Sequence, residues 1–216
     1  MVSKLKNIIF DLGGVILDID LSLIYNELKN IGFTNHALLE SPEVKELLDK
    51  FEMGIYSAPT FRNKMRSFLQ VPQVSDANFD FVWNAVLLDI PKERIQAIES
   101  IKQHYNIFLM SNSNEIHYDL YVRDLQLRFG YREFDALFDK SYFSFAVHMT
   151  KPDPRFFEFV LDQHGMKPEE TLFIDDTKTN IEAAQKLGIH TYNIGQDELV
   201  RNLFDNGVLR DDVVIG

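Results

Sequence analysis

The segment Ile8-Ile9-Phe10-Asp11-Leu12-Gly13-Gly14-Val15 decides the fold of this 216-residue chain. The short apolar run Asn7–Phe10 predicts a β-strand that is buried on both faces, as in a parallel sheet. We expect this strand to end at Asp11, and the two glycines that follow let backbone amides approach a ligand closely. In parallel sheets the ligand crevice lies beyond the carboxyl ends of the strands. Asp11 therefore marks the expected functional site.

Three later segments carry polar groups that suit the same edge of such a sheet. Ile107–Met110 leads into Ser111-Asn112, Thr171–Ile174 leads into Asp175-Asp176, and Lys151 opens the segment Lys151-Pro152-Asp153-Pro154. The carboxyl ends of parallel strands meet at one edge, so groups roughly 100 and 165 positions apart in the chain can converge there.

Apolar residues at helical spacing dominate the chain between the first two strands. They predict the helices Leu21–Ile31, Glu43–Phe51, Ala58–Leu69 and Phe79–Leu88. These roughly 70 residues contain no convincing strand, which predicts a helical insertion. We therefore expect a core domain of residues 1–17 and 91–216 and a helical cap domain of residues 18–90. Such a cap would act as a lid that keeps water from the reacting centre.

Strands and helices alternate through the remainder of the chain. We expect helices at Lys92–His104, Tyr118–Phe129, Pro154–His164, Ile181–Leu187 and Asp197–Asn206, and further strands near Tyr142–Ser144 and Thr191–Ile194. This alternation predicts an α/β fold with a doubly wound parallel sheet.

The composition restricts the class of protein. The chain is 45% hydrophobic and 25% charged, as is usual for a globular protein, and it contains no cysteine for disulfides or thiolate chemistry. Its net charge of −11 argues against nucleic-acid and anionic-membrane partners. The sequence shows neither a membrane span nor a signal-peptide core, so we expect a cytoplasmic protein.

Asp11 is a candidate nucleophile, because aspartate forms phosphorylated intermediates in enzymes that use no cysteine. The alternative is an ordinary helix or turn cap. Ser111 and Asn112 could donate hydrogen bonds to phosphoryl oxygens, although both residue types are also common in loops. Lys151 could place a positive charge beside a phosphate, although most lysines are simply solvated.

The adjacent carboxylates Asp175 and Asp176 favour a divalent cation. Two carboxylates at the end of an apolar strand repel each other unless water or a cation offsets their charge, and Mg²⁺ prefers oxygen ligands. Asn180 follows one helical turn later and could support these ligands. The alternative is that one of the two caps the next helix.

Taken in order, the four segments resemble the haloacid dehalogenase (HAD) superfamily over nearly the whole chain. The resemblance rests on residues 8–15, on Leu109-Met110-Ser111-Asn112, on Lys151-Pro152-Asp153-Pro154, and on Phe173-Ile174-Asp175-Asp176 through Asn180-Ile181-Glu182-Ala183-Ala184. It implies a Rossmann-like core with a helical cap in the first insertion position.

By this resemblance, Asp11 attacks phosphorus and also binds Mg²⁺, together with the backbone carbonyl of Gly13. Asp176 matches the metal-binding carboxylate of the fourth motif, while Asp175 acts through water, or the two exchange roles. The phosphoryl group would be held by Ser111, Asn112 and Lys151.

Gly13 departs from the pattern of most phosphatases in the superfamily, which have a general acid and base at this position. This part of the chain is similar to a subgroup that includes phosphatases of α-glucose 1-phosphate. The similarity lies in the stretch Asp11-Leu12-Gly13-Gly14-Val15-Ile16-Leu17-Asp18-Ile19-Asp20. Asp18 or Asp20 could replace the missing acid, but we favour their interpretation as polar residues of the hinge into the cap.

The resulting hypothesis is a Mg²⁺-dependent phosphatase of a small phosphorylated metabolite, with a sugar phosphate as the narrower candidate. It would act as a monomer or homodimer, and Glu52, Met53 and Tyr56 of the cap could face the substrate. The alternatives are a metal-independent 2-haloacid dehalogenase, which the Asp175-Asp176 pair disfavours, and a non-catalytic protein that has kept the fold.

Overall fold

A sheet of five parallel strands forms the centre of the protein. The computed structural model describes residues 5–33, 35–195 and 200–216. The strands are β1 (Asn7–Phe10), β2 (Asn106–Ser111), β3 (Lys140–Phe143), β4 (Thr171–Asp175) and β5 (His190–Asn193). Their order in the sheet is β3-β2-β1-β4-β5. Phe10 pairs in register with Leu109 on one side and Ile174 on the other, so Asp11 lies between the ends of β2 and β4.

Helices cover both faces of this sheet. The helices of the described residues are, in chain order, α1 (Leu23–Asn30), α2 (Pro42–Glu52), α3 (Ala58–Phe68), α4 (Asp76–Asn84), α5 (Lys92–Ile101), α6 (Glu115–Phe129), α7 (Phe134–Leu137), α8 (Ser144–Val147), α9 (Pro154–His164) and α10 (Lys178–Lys186). Short 3₁₀ helices span His36–Glu40, Pro168–Glu170 and Val200–Leu203. None of the helices in the described part of the chain is long and apolar enough to cross a membrane.

Alternation along β1 explains why both faces are covered. Ile8 and Phe10 pack in a cluster with residues of α5 and α6, whereas Ile9 packs in a second cluster with residues of α9 and α10. Successive side chains of a strand point to opposite faces, so a strand between two helical layers is apolar throughout. The predicted doubly wound α/β fold is thus confirmed.

The helices α1 to α4 pack around an apolar cluster that contains no residue of the sheet, and α6 contributes Ile116 to it. Phe51, Phe61 and Phe79 are among its buried residues, and the rings of Phe51 and Phe61 are stacked with centroids 4.0 Å apart. The two connections to the sheet run side by side, because Asp18 N donates to Asp89 O and Leu88 N donates to Asp18 O. We call residues 18–90 the helical insertion; its boundaries as a domain stay a prediction.

All five predicted strands are present, with end points that differ by at most two residues. The predicted helix Asp197–Asn206 was wrong within the described residues. Val200–Leu203 is a 3₁₀ helix, and Phe204–Asp205 pairs antiparallel with Val208–Leu209 as β6 and β7. The turn between them is Asn206-Gly207, with φ of 49° and 82°. Asn-Gly is the favoured dipeptide for a two-residue hairpin, a signal that the periodicity argument overlooked. Residues 197–199 lie outside the described residues.

Candidate active site

A buried lysine lies between two carboxylates at the carboxyl edge of the sheet. Nζ of Lys151 is 2.7 Å from Oδ1 of Asp11 and 2.7 Å from Oδ2 of Asp175. All three residues are buried. Buried charges are stable only when they are paired and hydrogen-bonded, so these three groups depend on one another.

The surroundings of Asp11 shift its protonation equilibrium. Burial raises the pKa of Asp11 to about 7; the ammonium of Lys151 opposes this rise and the carboxylate of Asp175 adds to it. For Lys151, burial by itself favours the neutral amine, but the two carboxylates outweigh it and raise the lysine pKa. The lysine is therefore a permanent cation beside the candidate nucleophile.

Asp175 is fully buried, and both of its carboxylate oxygens are engaged. Besides the ammonium of Lys151, it accepts hydrogen bonds from Thr177 N at 2.7 Å and from Nδ2 of Asn180 at 3.1 Å on each oxygen. The support that the sequence predicted from Asn180 is confirmed for this carboxylate. Asp175 thus holds Lys151 and the start of α10 in place.

Asp176 is the more accessible of the two adjacent carboxylates. It is half-buried, and its Oδ1 accepts a hydrogen bond from the Thr177 hydroxyl at 3.2 Å. Burial and the nearby charge of Asp175 raise the pKa of Asp176. A carboxylate whose charged form is disfavoured in this way gains from a neighbouring cation.

The carboxylates of Asp11, Asp175 and Asp176 form a potential cation site. One oxygen of each lies within 4.8 Å of the others, and in the described part of the chain no other group of three acidic or histidine side chains meets this criterion. The donor set is all oxygen, which fits a hard divalent cation such as Mg²⁺ rather than zinc.

Gly13 lies beside an apolar side chain and not beside another acid. A Cβ atom added to Gly13 would meet Cδ1 of Ile19 at 3.5 Å, an ordinary contact, and would leave the backbone carbonyl unchanged. There is consequently space for a side chain at this position. The metal-binding role predicted for the Gly13 carbonyl stays a prediction.

Asn112 uses its side chain to hold the backbone of Lys151. Its Nδ2 donates to Lys151 O and its Oδ1 accepts from Lys151 N, each at 2.8 Å. Both amide atoms are thus bound to the backbone of Lys151, and Nδ2 keeps a second N–H. The hydroxyl of the buried Ser111 makes only a long hydrogen bond of 3.4 Å to Asn112 O.

Sequence reasoning missed a buried hydroxyl network beneath this loop. Ser113 N donates to Oγ of Ser144, which in turn donates to Ser113 O, and the hydroxyls of Ser113 and Tyr121 are 2.6 Å apart. Serines in a loop carry no sequence signal that would identify partners about 30 residues away, so spacing could not have found this network.

Asp18 and Asp20 are both engaged at the connection to the helical insertion. Oδ1 of Asp18 is 2.6 Å from Nη2 of the buried Arg94, and Oδ1 of Asp20 accepts from Ser22 N at 2.9 Å. These contacts support the interpretation as hinge residues over that of a replacement acid.

The segment that follows α2 contacts the core near the end of β3. Nδ1 of His148 donates to Met53 O at 2.8 Å, and Gly54 abuts the backbone carbonyl of Phe145. The ammonium groups of Lys50 and Lys64 lie 5.5 and 5.1 Å from the centroid of the Tyr56 ring. The insertion therefore meets the core on the side of the sheet edge where Asp11 lies.

Comparison with known proteins gives one family over most of the chain. The family model described as haloacid dehalogenase-like hydrolase matches residues 5–188. The D-ribitol-5-phosphate phosphatase of Bacteroides thetaiotaomicron is 26% identical over 193 residues, which cover 87% of this chain and 91% of the relative. The (S)-2-haloacid dehalogenase 4A of Burkholderia cepacia is 22% identical over 214 residues, covering 91% of this chain and 85% of the relative.

The solved structures include a HAD family enzyme of Bacteroides thetaiotaomicron in complex with magnesium and inorganic phosphate. It superposes on this chain with a TM-score of 0.85 at 33% sequence identity. The superposition covers 93% of this chain and 100% of the chain of that enzyme. An L-2-haloacid dehalogenase from Xanthobacter autotrophicus superposes with a TM-score of 0.57 at 17% identity, covering 87% of this chain and 76% of its own, and thus shares the fold.

Proposed function

Since this chain belongs to the haloacid dehalogenase-like hydrolases, we propose that it is a Mg²⁺-dependent phosphatase of a small phosphorylated metabolite. The observation that carries the proposal is the grouping of Asp11, Asp175 and Asp176 around the edge at which β1 ends. A phosphatase in this family and a related enzyme crystallised with magnesium and phosphate support the same chemistry.

Mg²⁺ would be held by Asp11, Asp176 and the backbone carbonyl of Gly13, with Asp175 acting through water. The full engagement of Asp175 by protein donors supports this division between the two carboxylates. When bound, the cation supplies positive charge that favours ionised Asp11 and offsets the charge of the phosphoryl oxygens.

Ser111, Asn112 and Lys151 would hold the transferring phosphoryl group. The Lys151 ammonium is already fixed beside Asp11, so its charge need not reorganise when the substrate binds. The Asn112 side chain contributes indirectly, because it fixes the backbone on which this ammonium is carried.

Asp11 would act as the nucleophile in the first of two displacements and as the leaving group in the second. One of its carboxylate oxygens bonds to phosphorus while the bond to the leaving oxygen breaks, and the alkoxide takes a proton from water. A water molecule then attacks the phosphorus of the aspartyl phosphate. This step releases inorganic phosphate and returns the carboxylate of Asp11.

We propose residues 1–17 and 91–216 as the core domain and residues 18–90 as a cap domain that covers the site. The separate apolar cluster of α1 to α4 and the contact of Met53 with His148 support this division. A sugar or polyol phosphate is the narrower substrate proposal, supported by the relative that is named for D-ribitol 5-phosphate.

The test is phosphate release from a panel of sugar, polyol and aryl phosphates, with Mg²⁺ and with excess chelator. We expect turnover only with Mg²⁺, and none from Asp11→Asn, whose amide loses both the nucleophile and a ligand. Asp162→Asn, an exposed change on α9, should retain wild-type activity. Full activity in chelator, or chloride release from 2-haloacids by a metal-free protein, would contradict the proposal.

A further inference from the structure

The first turn of α6 joins the proposed phosphate loop, Ser111–Asn112, to the helical insertion through three consecutive side chains. Oε2 of Glu115 accepts a hydrogen bond from the Ala58 backbone N–H at 2.8 Å. Ile116 is 3% exposed and packs in the apolar cluster of the insertion. Nδ1 of His117 lies 2.9 Å from Oδ1 of Asn84.

Glu115 acts as the cap of a helix in the insertion. Ser57 precedes α3, but its hydroxyl contacts the hydroxyl of Thr60 at 3.1 Å and does not cap the helix. The carboxylate of Glu115 replaces it and places a negative charge at the positive end of α3. The orientation of α3 is therefore tied to a residue three positions after Asn112.

His117 and Trp83 form the second contact of this turn. Burial lowers the pKa of His117 to about 4, so its ring is neutral at neutral pH and can donate one hydrogen bond, to Asn84. The indole of Trp83 stacks on this ring at a centroid distance of 5.7 Å and an interplanar angle of 9°. Trp83 is the single tryptophan of the chain.

A second route from the phosphate loop to the insertion passes through α8. The hydroxyl of Ser144 bonds both the N–H and the carbonyl of Ser113. The next residue, Phe145, presents its carbonyl to Gly54, where φ is 65° and an added Cβ atom would overlap that oxygen. The loop is thus connected to the insertion on two sides.

We propose that Glu115 is a positioning residue that couples occupancy of the loop Ser111–Asn112 to the seating of α3 on the core. The inference rests on the proposed function, because it takes this loop as the phosphate site. Asn114 caps α6 through a hydrogen bond from His117 N, so the loop and the first turn of α6 move together. Glu115 and His117 carry that movement to α3 and α4.

The test uses the fluorescence of Trp83 as a readout that requires no turnover. Inorganic phosphate is titrated into the full-length protein with saturating Mg²⁺, and its binding is measured in parallel by calorimetry. The variants are Glu115→Ala, Glu115→Gln, which keeps an acceptor oxygen, and Glu43→Ala. Glu43 also lies in the first turn of its helix but is exposed, which controls for the helix dipole.

In the wild type we expect a saturable change of Trp83 fluorescence that follows the calorimetric binding curve. Glu115→Ala should lose at least half of this amplitude at saturating phosphate. Its kcat should fall about 10-fold, because a displaced loop misorients the phosphoryl group. Glu115→Gln should recover most of both quantities, and Glu43→Ala should match the wild type.

Two results would overturn the coupling while leaving the proposed function intact. Phosphate could bind by calorimetry with no change at Trp83, or Glu115→Ala could keep the full fluorescence amplitude and the wild-type kcat. If the wild type binds no phosphate in the presence of Mg²⁺ and releases none from any substrate, the proposed function fails, and the coupling fails with it.

Discussion

Gly14 leaves the space that the carboxylate of Asp176 occupies. The Gly14 backbone has φ of 75°, and a Cβ atom built on it would overlap Oδ2 of Asp176. Only glycine combines this left-handed conformation with so close an approach of another side chain.

Gly14→Ala should therefore displace Asp176 and weaken Mg²⁺ binding by about 10- to 100-fold, as loss of support for a metal ligand generally does. The measurement is the Mg²⁺ concentration that gives half-maximal phosphate release. Gly13→Ala is the matched control, because its added Cβ meets only Ile19 at 3.5 Å. Equal Mg²⁺ requirements in the two variants would contradict the assignment of Asp176.

Lys151→Met tests the dependence of the buried carboxylates on their cation. The change leaves Asp11 and Asp175 buried without the ammonium between them, and removing one partner of a buried pair costs about 3–5 kcal/mol of unfolding free energy. We expect this loss in chelator, measured by denaturant unfolding, and partial recovery in Mg²⁺.

Lys45→Met provides the comparison for this experiment. Lys45 pairs with Asp49 on the surface, where its side chain is 74% exposed, so its loss should change the stability little and independently of Mg²⁺. An unchanged stability of Lys151→Met in chelator would mean that the carboxylates are protonated or solvated instead of paired with the lysine.

The absence of a side chain at Gly13 predicts a strong dependence on the leaving group. General acid catalysis contributes about 10²–10⁴-fold, and most for poor leaving groups. Rates on a series of aryl and alkyl phosphates should fall steeply as the leaving-group pKa rises, where chemistry limits the rate. Gly13→Asp should flatten this slope, since the structure leaves room for the new Cβ atom beside Ile19.

A shallow slope in the wild-type protein would show that another donor protonates the leaving oxygen. Asp18 and Asp20 are then the first candidates, although their contacts with Arg94 and Ser22 N argue against them. Asp18→Asn and Asp20→Asn would distinguish the two, because the slope should become steep only in the variant that has lost the donor.

Glu52 predicts a pH dependence of stability. Burial raises the pKa of this carboxyl from 4.5 to about 7, with Asp49 adding to the rise and Lys45 opposing it. Between these two pH values the folded protein keeps a proton that the unfolded chain loses, so the unfolding free energy falls as pH increases. Glu52→Gln has no carboxyl group at this position, so its unfolding free energy should not show this decrease at high pH. It should be about 1–3 kcal/mol more stable than the wild type at pH 8 and equally stable near pH 4.

The control for this prediction is Glu46→Gln on the same helix. A hydrogen bond from Lys50 lowers the pKa of Glu46, so its loss should slightly destabilise the protein at pH 8 and have no effect at low pH. Denaturant unfolding at both pH values measures the two variants. A stability difference between Glu52→Gln and the wild type that is the same at pH 4 and pH 8 would contradict the raised pKa.

Much of the fold could be predicted from local patterns, because a strand covered on both faces must be apolar at successive positions. That rule located β1, β2 and β4 and placed Asp11 and Asp175 at their ends. Helix ends were predicted less well. The start of α6 lies one turn earlier than expected, where Asn114 caps it through a hydrogen bond from His117 N.

The sequence by itself determined which chemical groups stand at the carboxyl edge of the sheet, since period and apolarity are local properties of the chain. Tertiary structure decided how those groups are used. It engages the Asn112 side chain with the backbone of Lys151, 39 residues away, and it brings Glu115 to Ala58, 57 residues away. The physical reason is that hydrogen-bond partners decide which atoms of a polar side chain remain available to a ligand. Segments that are distant in the chain supply those partners only after packing.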